Sequence, residues 1–209
     1  AGQSVALWDL ADGRCLCSFA GHTGRVTSLS LRSDAAQALT GSEDRTVRLW
    51  DIETGECLRV FEGHTAAITC VCLSLDGRFA ISGSAAQALW TWDTASGNRI
   101  RAFEIQEFGP ECVSVSRDAR WVLSGDADAK LHLWSTKNGM RVRTLRGHTR
   151  KVTSAGLSAN GQWALSSSLD GTLRVWDVTT GCCVRTLEGH RTGVVSVGFV
   201  KDVRALAKE

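Results

Sequence analysis

Histidine, serine or threonine, and aspartate recur along the chain in a fixed order, and these are the residue types of a hydrolytic triad. Two sets are complete, and each also contains a tryptophan: His22, Thr40, Asp44 and Trp50, and His148, Ser166, Asp170 and Trp176. A catalytic triad occurs once, with an exposed nucleophile and an oxyanion hole, so a repeated set indicates a structural role. No GxSxG, HExxH, P-loop or CxxC motif accompanies the sets. We therefore predict no enzyme activity, catalytic residue, metal site, cofactor or small-molecule substrate.

Gly-His pairs and tryptophans set the spacing of the whole chain. The Gly-His pairs stand at 21–22, 63–64, 147–148 and 189–190, and Ile105-Gln106 fills the missing place. Five tryptophans are 42 residues apart, and all but the fourth precede an aspartate: Trp8, Trp50, Trp92, Trp134 and Trp176. A fixed period of this length without insertions is typical of a repeat architecture.

Each 42-residue unit contains four short segments with the pattern of strands. In residues 21–62 these are TSLSL, QALTG, TVRLW and CLRVF, and clusters of Asp, Ser, Thr and Gly separate them. Alternating or continuous apolar runs between turn residues predict antiparallel strands joined by tight turns. One four-stranded sheet cannot bury both of its faces, so each unit needs neighbours.

The Gly-His to Trp-Asp pattern resembles the WD-repeat family of β-propellers, and the resemblance covers the whole chain. It implies an all-β fold in which residues 1–209 form a single propeller domain. We predict five four-stranded blades, the last one formed by two separate stretches: 21–62, 63–104, 105–146, 147–188, and 189–209 plus 1–20. Propellers of four to eight blades are known, so five is permitted.

The two ends of the chain read as complementary halves of the fifth blade. Residues 3–9 align with a third strand, residues 15–19 with a fourth, and residues 189–209 with a first and second strand. Pairing the halves would remove two exposed sheet edges. We therefore expect the sheets that contain Trp8 and Val197 to join. The alternative is an open fragment of a larger, seven-bladed propeller.

The resemblance also implies a buried hydrogen-bond network in each blade, formed by the His, a Ser or Thr of the second strand, an Asp of the next turn, and the Trp. The two complete sets supply all four residues. The expected members in the other blades are His64, Ser82 and Trp92; Ser124, Asp128 and Trp134; and His190 and Trp8. Ala86 replaces the Asp of the second blade, Gln106 the His of the third, and Lys208 and Gly2 stand at the remaining fifth-blade positions.

Two further features lie outside the network. His132 lies on a third strand, and we expect it at the surface. Arginines recur on the outermost strands, where they would form a basic rim or, as we favour, protect the sheet edges from pairing with other chains: Arg59, Arg101, Arg143 and Arg185.

Composition narrows the environment and the partners. With 24 basic and 22 acidic residues the net charge is +2, which gives no indication of nucleic-acid binding. No apolar run is long enough to span a membrane, so we expect no membrane insertion. Cysteines at equivalent places in different repeats cannot face each other, and this favours free thiols in an intracellular compartment, cytoplasmic or nuclear.

Binding residues are expected where the repeats differ, because loops carry function while the scaffold repeats. In the family that the chain resembles, the face with the Gly-His loops usually docks partners. The residues on it that break the repeat are Arg25, Glu43, Glu107, Phe108, Arg150, Lys151, Leu169 and Arg191. We predict a non-enzymatic scaffold that presents this face to protein or peptide partners. The alternative is a reader of acidic or phosphorylated peptides, in which Arg25, Arg150, Lys151 and Arg191 form a basic arc.

Overall fold

The computed structural model describes residues 2–105 and 108–199, and each complete 42-residue unit forms one antiparallel sheet in sequential strand order. The first blade consists of β3 (Val26–Leu31), β4 (Gln37–Ser42), β5 (Val47–Asp51) and β6 (Cys57–Phe61). The second consists of β7 (Ile68–Leu73), β8 (Phe79–Ser84), β9 (Ala88–Asp93) and β10 (Arg99–Glu104). The third consists of β11 (Pro110–Val115), β12 (Trp121–Asp126), β13 (Lys130–Ser135) and β14 (Arg141–Arg146). The fourth consists of β15 (Val152–Leu157), β16 (Trp163–Ser168), β17 (Leu173–Asp177) and β18 (Cys183–Leu187). The all-β fold of propeller blades is thereby confirmed.

Burial within a blade falls towards its fourth strand. Five of the six residues of the second strand β4 are buried, whereas four of the five residues of the fourth strand β6 are exposed. The second strand therefore carries residues that pack on the neighbouring blades, and the fourth strand forms the outer edge.

Adjacent blades are joined through their first strands. The hydroxyl of Thr27 in β3 donates to the carbonyl of Ile68 in β7 at 2.6 Å, and Thr69 in β7 donates to the carbonyl of Pro110 in β11. At Gly41 a Cβ atom would lie 2.5 Å from the Ile68 side chain, so only glycine allows the blades to approach this closely.

The hydrophobic core lies between the sheets rather than within one of them. One cluster combines Leu49 and Phe61 of the first blade with Ile68 and Leu73 of the second. A second cluster joins the third and fourth blades through residues such as Leu133. Because the blades share their cores, no single unit could bury its apolar surface alone.

The N-terminal segment forms a separate two-stranded sheet of β1 (Val5–Trp8) and β2 (Cys15–Phe19). It packs on the first blade, where the ring of Phe19 lies 5.7 Å from that of Trp50. The carbonyl of Gly2 also accepts a hydrogen bond from the amide of Val26 at 2.6 Å. The two strands therefore occupy the place predicted for the third and fourth strands of a blade.

The predicted closure of the ring is not found in the described part of the chain. Residues 193–199 follow the fourth blade where a next first strand would lie, and the hydroxyl of Thr153 donates to the carbonyl of Val194 at 2.5 Å. Residues 193–199 form no strand, and within the described ranges β1 pairs only with β2. The predicted second strand of the closing blade, with Lys208, lies outside the described residues. Trp8 is 56% exposed, so the expected network of Trp8 and His190 is not buried either.

Two further properties of the described chain bear on its environment. Among residues 2–105 and 108–199 no helix is long and apolar enough to cross a membrane. The eight cysteines are free thiols. Burial raises the pKa of Cys112 to about 12, so this thiol is protonated and inert at neutral pH.

Candidate interaction face

In the first blade the His22 network links four side chains in a chain of hydrogen bonds. The indole Nε1 of Trp50 donates to the Thr40 hydroxyl at 2.8 Å, and that hydroxyl lies 2.8 Å from Nε2 of His22. The other ring nitrogen of His22 lies 2.8 Å from the Asp44 carboxylate. Because a carboxylate only accepts, Nδ1 carries the proton, and the Thr40 hydroxyl donates to Nε2. Every polar atom of the buried ring is therefore satisfied.

The fourth blade repeats this arrangement with a serine. Nδ1 of His148 lies 2.8 Å from Asp170, and the Ser166 hydroxyl lies 2.8 Å from both His148 Nε2 and the indole nitrogen of Trp176. Burial lowers the pKa of His148, although the hydrogen bond to Asp170 opposes this effect, so the imidazole is neutral at physiological pH.

These buried sets are not arranged for nucleophilic catalysis. Thr40 is 1% exposed and Ser166 is 0% exposed, so a substrate cannot reach either hydroxyl. Each hydroxyl also accepts the tryptophan N–H, which ties it to the core. The geometry gives the sets a role in holding the Gly-His loops against the second and third strands.

The second blade lacks the carboxylate and uses aromatic contacts in its place. The Ser82 hydroxyl lies 2.7 Å from Nε2 of His64 and accepts the indole N–H of Trp92 at 2.8 Å. Nδ1 of His64 has no hydrogen-bond partner among the described residues. The ring stacks on Trp90 instead, and burial, with the positive charge of Arg99, lowers the His64 pKa to about 4.

In the third blade the histidine that pairs with a carboxylate comes from a different position. His132 is buried rather than at the surface, and its Nε2 lies 3.0 Å from the buried Asp126. The expected Asp128 forms an ion pair at 2.5 Å with Lys130, and its side chain is half-exposed. Trp134 donates to Ser124 at 2.9 Å as expected, whereas Gln106 lies outside the described residues.

A sequence signal for this His–Asp pair exists, but it is indirect. Asp126 stands where the other blades have Ser42, Ser84 and Ser168, and His132 stands where two of them have an arginine. Two departures from the repeat in the same blade indicate two side chains that compensate for each other. Considered alone, His132 gives no such indication.

The described residues proposed for partner binding lie in the Gly-His loops and in the turns between second and third strands. These two kinds of connection leave the antiparallel strands at the same end, so they share one face of the blades. Arg25 lies 3.7 Å from Glu43, and Lys151 lies 2.8 Å from Glu111. Phe108 is 48% exposed, and Glu107 lies outside the described residues.

A cavity of about 250 Å³ opens on this face beside the fourth blade. Its lining includes Arg150, Leu169 and Arg191, and Arg150 donates to the carbonyl of Leu169 at 3.2 Å. Asp170 also lines the cavity, but its carboxylate is held by His148 and by the Thr149 amide. The arginines have no acidic partner in the part of the chain that the structure describes.

The repeated sheets and their buried His–hydroxyl–Trp contacts define a propeller-type repeat protein. The family model described as "WD domain, G-beta repeat" matches residues 13–51, 55–93, 98–135 and 139–177. These stretches cover most of the chain, so the chain belongs to the WD-repeat family, and the predicted resemblance is confirmed. A comparison with curated proteins found no match. WD repeats are generally protein-interaction scaffolds and are typically non-enzymatic.

Proposed function

We propose that this protein is a non-enzymatic scaffold that holds a protein or peptide segment against its Gly-His face. The observation that carries the proposal is the cavity beside the fourth blade, because residues that break the repeat line it. The buried networks keep the loops of this face in place, and a preformed surface lowers the entropy cost of binding. The intracellular location inferred from the cysteines is part of this proposal.

The Arg150–Leu169–Arg191 group is the proposed centre of the binding surface. Leu169 offers an apolar contact between two guanidinium groups, and arginine is enriched at the energetic centres of interfaces. Phe108 is a second apolar anchor, at the junction of the second and third blades, where Gly109 approaches the carbonyl of Ser84.

A second candidate function is recognition of acidic or phosphorylated peptides. Glu43 and Glu111 form ion pairs with Arg25 and Lys151, so Arg150 and Arg191 are the members of the proposed basic arc without an acidic partner among the described residues. Two such arginines beside one cavity suit a phosphate or carboxylate, which guanidinium groups bind through paired, charge-assisted hydrogen bonds.

The test combines partner capture with peptide binding. Proteins captured by the wild type should be lost with Phe108→Ala and with the double variant Arg150→Ala/Arg191→Ala. They should be retained by Arg185→Ala, which removes an exposed arginine from the outer strand β18. Circular dichroism must show that all variants are folded. Capture that none of the face variants reduces would contradict the proposed surface.

The second candidate is tested with matched peptides that carry serine, phosphoserine or glutamate at one position. Phosphopeptide affinity should fall steeply between low and high salt, because exposed charges are screened. It should also fall about tenfold or more in the Arg150→Ala/Arg191→Ala variant, since charge-assisted hydrogen bonds are the stronger kind. Equal affinity for all three peptides would leave only the general scaffold function.

A further inference from the structure

A second cavity, of about 140 Å³, lies between the second and third blades. Its described lining residues are Phe79, Ile81, Thr91, Ile100, Arg101, Val115, Ala119 and Thr136. Ala119 belongs to the turn between β11 and β12, and Thr136 to the turn after β13. Those turns are at the opposite end of the blades from the Gly-His loops, so this cavity is separate from the proposed interaction face.

The cavity exists because two positions that hold leucine at the neighbouring interfaces hold smaller residues here. Leu49 and Leu73 belong to one core cluster between the first and second blades, and Leu133 and Leu157 pack in the cluster between the third and fourth. One period away, the corresponding residues are Thr91 and Val115. Space that two leucine side chains fill elsewhere is left open between the second and third blades.

Thr91 also brings a polar atom into this apolar space. The residue is 7% exposed, and its hydroxyl has no hydrogen-bond partner within the described ranges. The other blades have Leu49, Leu133 and Val175 at this position, so no hydroxyl is needed for the fold. A buried hydroxyl without a partner is destabilising, and a ligand oxygen that accepts its hydrogen bond removes this cost.

Arg101 supplies a cation beside that hydroxyl. It is the direct cross-strand partner of Thr91 in the β9–β10 ladder, so the two side chains leave the same face of the sheet. Arg59 and Arg143, at the equivalent positions, donate to the carbonyls of Ala95 and Thr180 in the next blade. Arg101 makes no such hydrogen bond to a described residue, and its Nε, like that of Arg143, is buried without a partner among them. None of the described lining residues is acidic.

We propose that this cavity binds a small carboxylic acid with an apolar body. The apolar group fills the space between Phe79, Ile81 and Val115, and the carboxylate accepts hydrogen bonds from Arg101 and from the Thr91 hydroxyl. The size fits, because an apolar cavity of roughly 150 Å³ accommodates a benzene ring. The pairing also fits, because a guanidinium and a carboxylate form the stronger, charge-assisted hydrogen bonds.

Phenylacetate and benzyl alcohol are the matched probes, because they share the aromatic body and differ in the carboxylate. Calorimetry and ligand-observed NMR should show one phenylacetate bound per chain, with benzyl alcohol at least about tenfold weaker. Protein NMR shifts should be confined to the amides of β9, β10 and β11. Failure of the folded wild type to bind phenylacetate at millimolar concentration would overturn the proposal.

Three variants separate the apolar and polar parts of the site. Thr91→Leu/Val115→Leu restores the pair found at the neighbouring interfaces, and it should abolish binding without lowering the melting temperature. Arg101→Gln should remove the preference for phenylacetate over benzyl alcohol while leaving the cavity open. Thr91→Val, the residue of the fourth blade, should weaken phenylacetate binding without preventing folding. Undiminished phenylacetate binding by Arg101→Gln, or by the double leucine variant, would contradict the proposed site.

A peptide that ends in a free carboxylate could supply the same chemistry as a free acid. A short peptide ending in phenylalanine, compared with its C-terminal amide, distinguishes these sources. If the peptide displaces phenylacetate and the amide does not, the site reads chain termini. If neither peptide displaces phenylacetate, the ligand is a free acid.

Discussion

The imidazole of His64 stacks on the indole of Trp90, with ring centroids 4.0 Å apart and planes inclined by 15°. In the first and fourth blades the position of Trp90 is held by Arg48 and Arg174, and the histidine of each Gly-His pair bonds to an aspartate instead. Arg99 lies on the Trp90 ring, 4.4 Å from its centroid. The second blade therefore replaces a hydrogen bond with a stack of imidazole, indole and guanidinium, which aromatic and cation–π attraction favour.

Restoring the missing carboxylate with Ala86→Asp should stabilise the protein. The turn already has the required backbone, because Gln87 has φ of 59° and its counterpart Arg45 in the first blade has φ of 71°. The new carboxylate should accept a hydrogen bond from Nδ1 of His64 and raise the free energy of unfolding by about 1–3 kcal/mol. Urea unfolding measures the change.

The neighbouring Ala85→Asp is the control for that substitution, because it adds the same charge at the position of the exposed Glu43. Its effect on unfolding should be within about 0.5 kcal/mol, as for most surface changes. Equal stabilisation by both variants would show that charge alone, rather than contact with His64, is responsible.

His64, whose Nδ1 has no hydrogen-bond partner among the described residues, should make stability depend on pH below neutrality. Its pKa is about 4 in the folded protein because of burial and the nearby Arg99, whereas an unfolded histidine titrates near 6.5. Between these values the unfolded chain binds more protons, so the free energy of unfolding falls as the pH is lowered from 6.5 to 4. The contribution of one such histidine is at most about 1.4 kcal/mol per pH unit.

Urea unfolding between pH 4 and 6.5 measures this slope, and Ala86→Asp should reduce the slope by raising the His64 pKa. A slope that Ala86→Asp leaves unchanged would mean that other groups dominate.

The blades could be predicted from the sequence because tryptophan and turn residues recur at one spacing, and alternation shows which strand positions are buried. The place of Trp50 in its network was predicted from the resemblance to the WD-repeat family. Closure of the ring is not confirmed in the described residues, because equal phase at Trp8 and His190 does not show whether two strands form a ladder. The prediction that His132 lies at the surface is wrong, because its burial depends on a contact with Asp126 that spacing alone does not reveal.

The His132–Asp126 pair should stabilise the third blade. Asp126→Ser introduces the residue of the other blades, and its hydroxyl can still accept the amide of Asp128, as Ser42 accepts the amide of Asp44 at 3.1 Å. The substitution removes the contact with His132 and the hydrogen bond that the Lys130 amide donates to the Asp126 carboxylate at 2.9 Å, so the free energy of unfolding should fall by about 1–3 kcal/mol. Chemical denaturation gives the value.

The matched change for the third blade is Asp128→Ser, which removes an ion pair between the half-exposed Asp128 and Lys130. Such pairs contribute about 0–1 kcal/mol, so this variant should be close to the wild type. A larger loss for Asp128→Ser than for Asp126→Ser would reverse our assignment of the two carboxylates.

The outer arginines should differ in their contribution to stability, although they share one position in the repeat. The Arg143 side chain crosses to the fourth blade, where Nη1 donates to the carbonyl of Thr180 at 2.9 Å, and its stem lies against Gly181. Gly181 has φ of 80°, and a Cβ atom there would lie 2.6 Å from Arg143 Cδ, so glycine is required on both grounds. This contact joins blades, a role beyond the edge protection expected from the sequence.

Arg143→Met should therefore lower the free energy of unfolding by about 1 kcal/mol. Arg101→Met should change it by less than about 0.5 kcal/mol, because Arg101 makes no equivalent bond among the described residues. Urea unfolding of the two variants in parallel measures the difference, and equal losses would show that packing of the side-chain stem outweighs the hydrogen bond between blades.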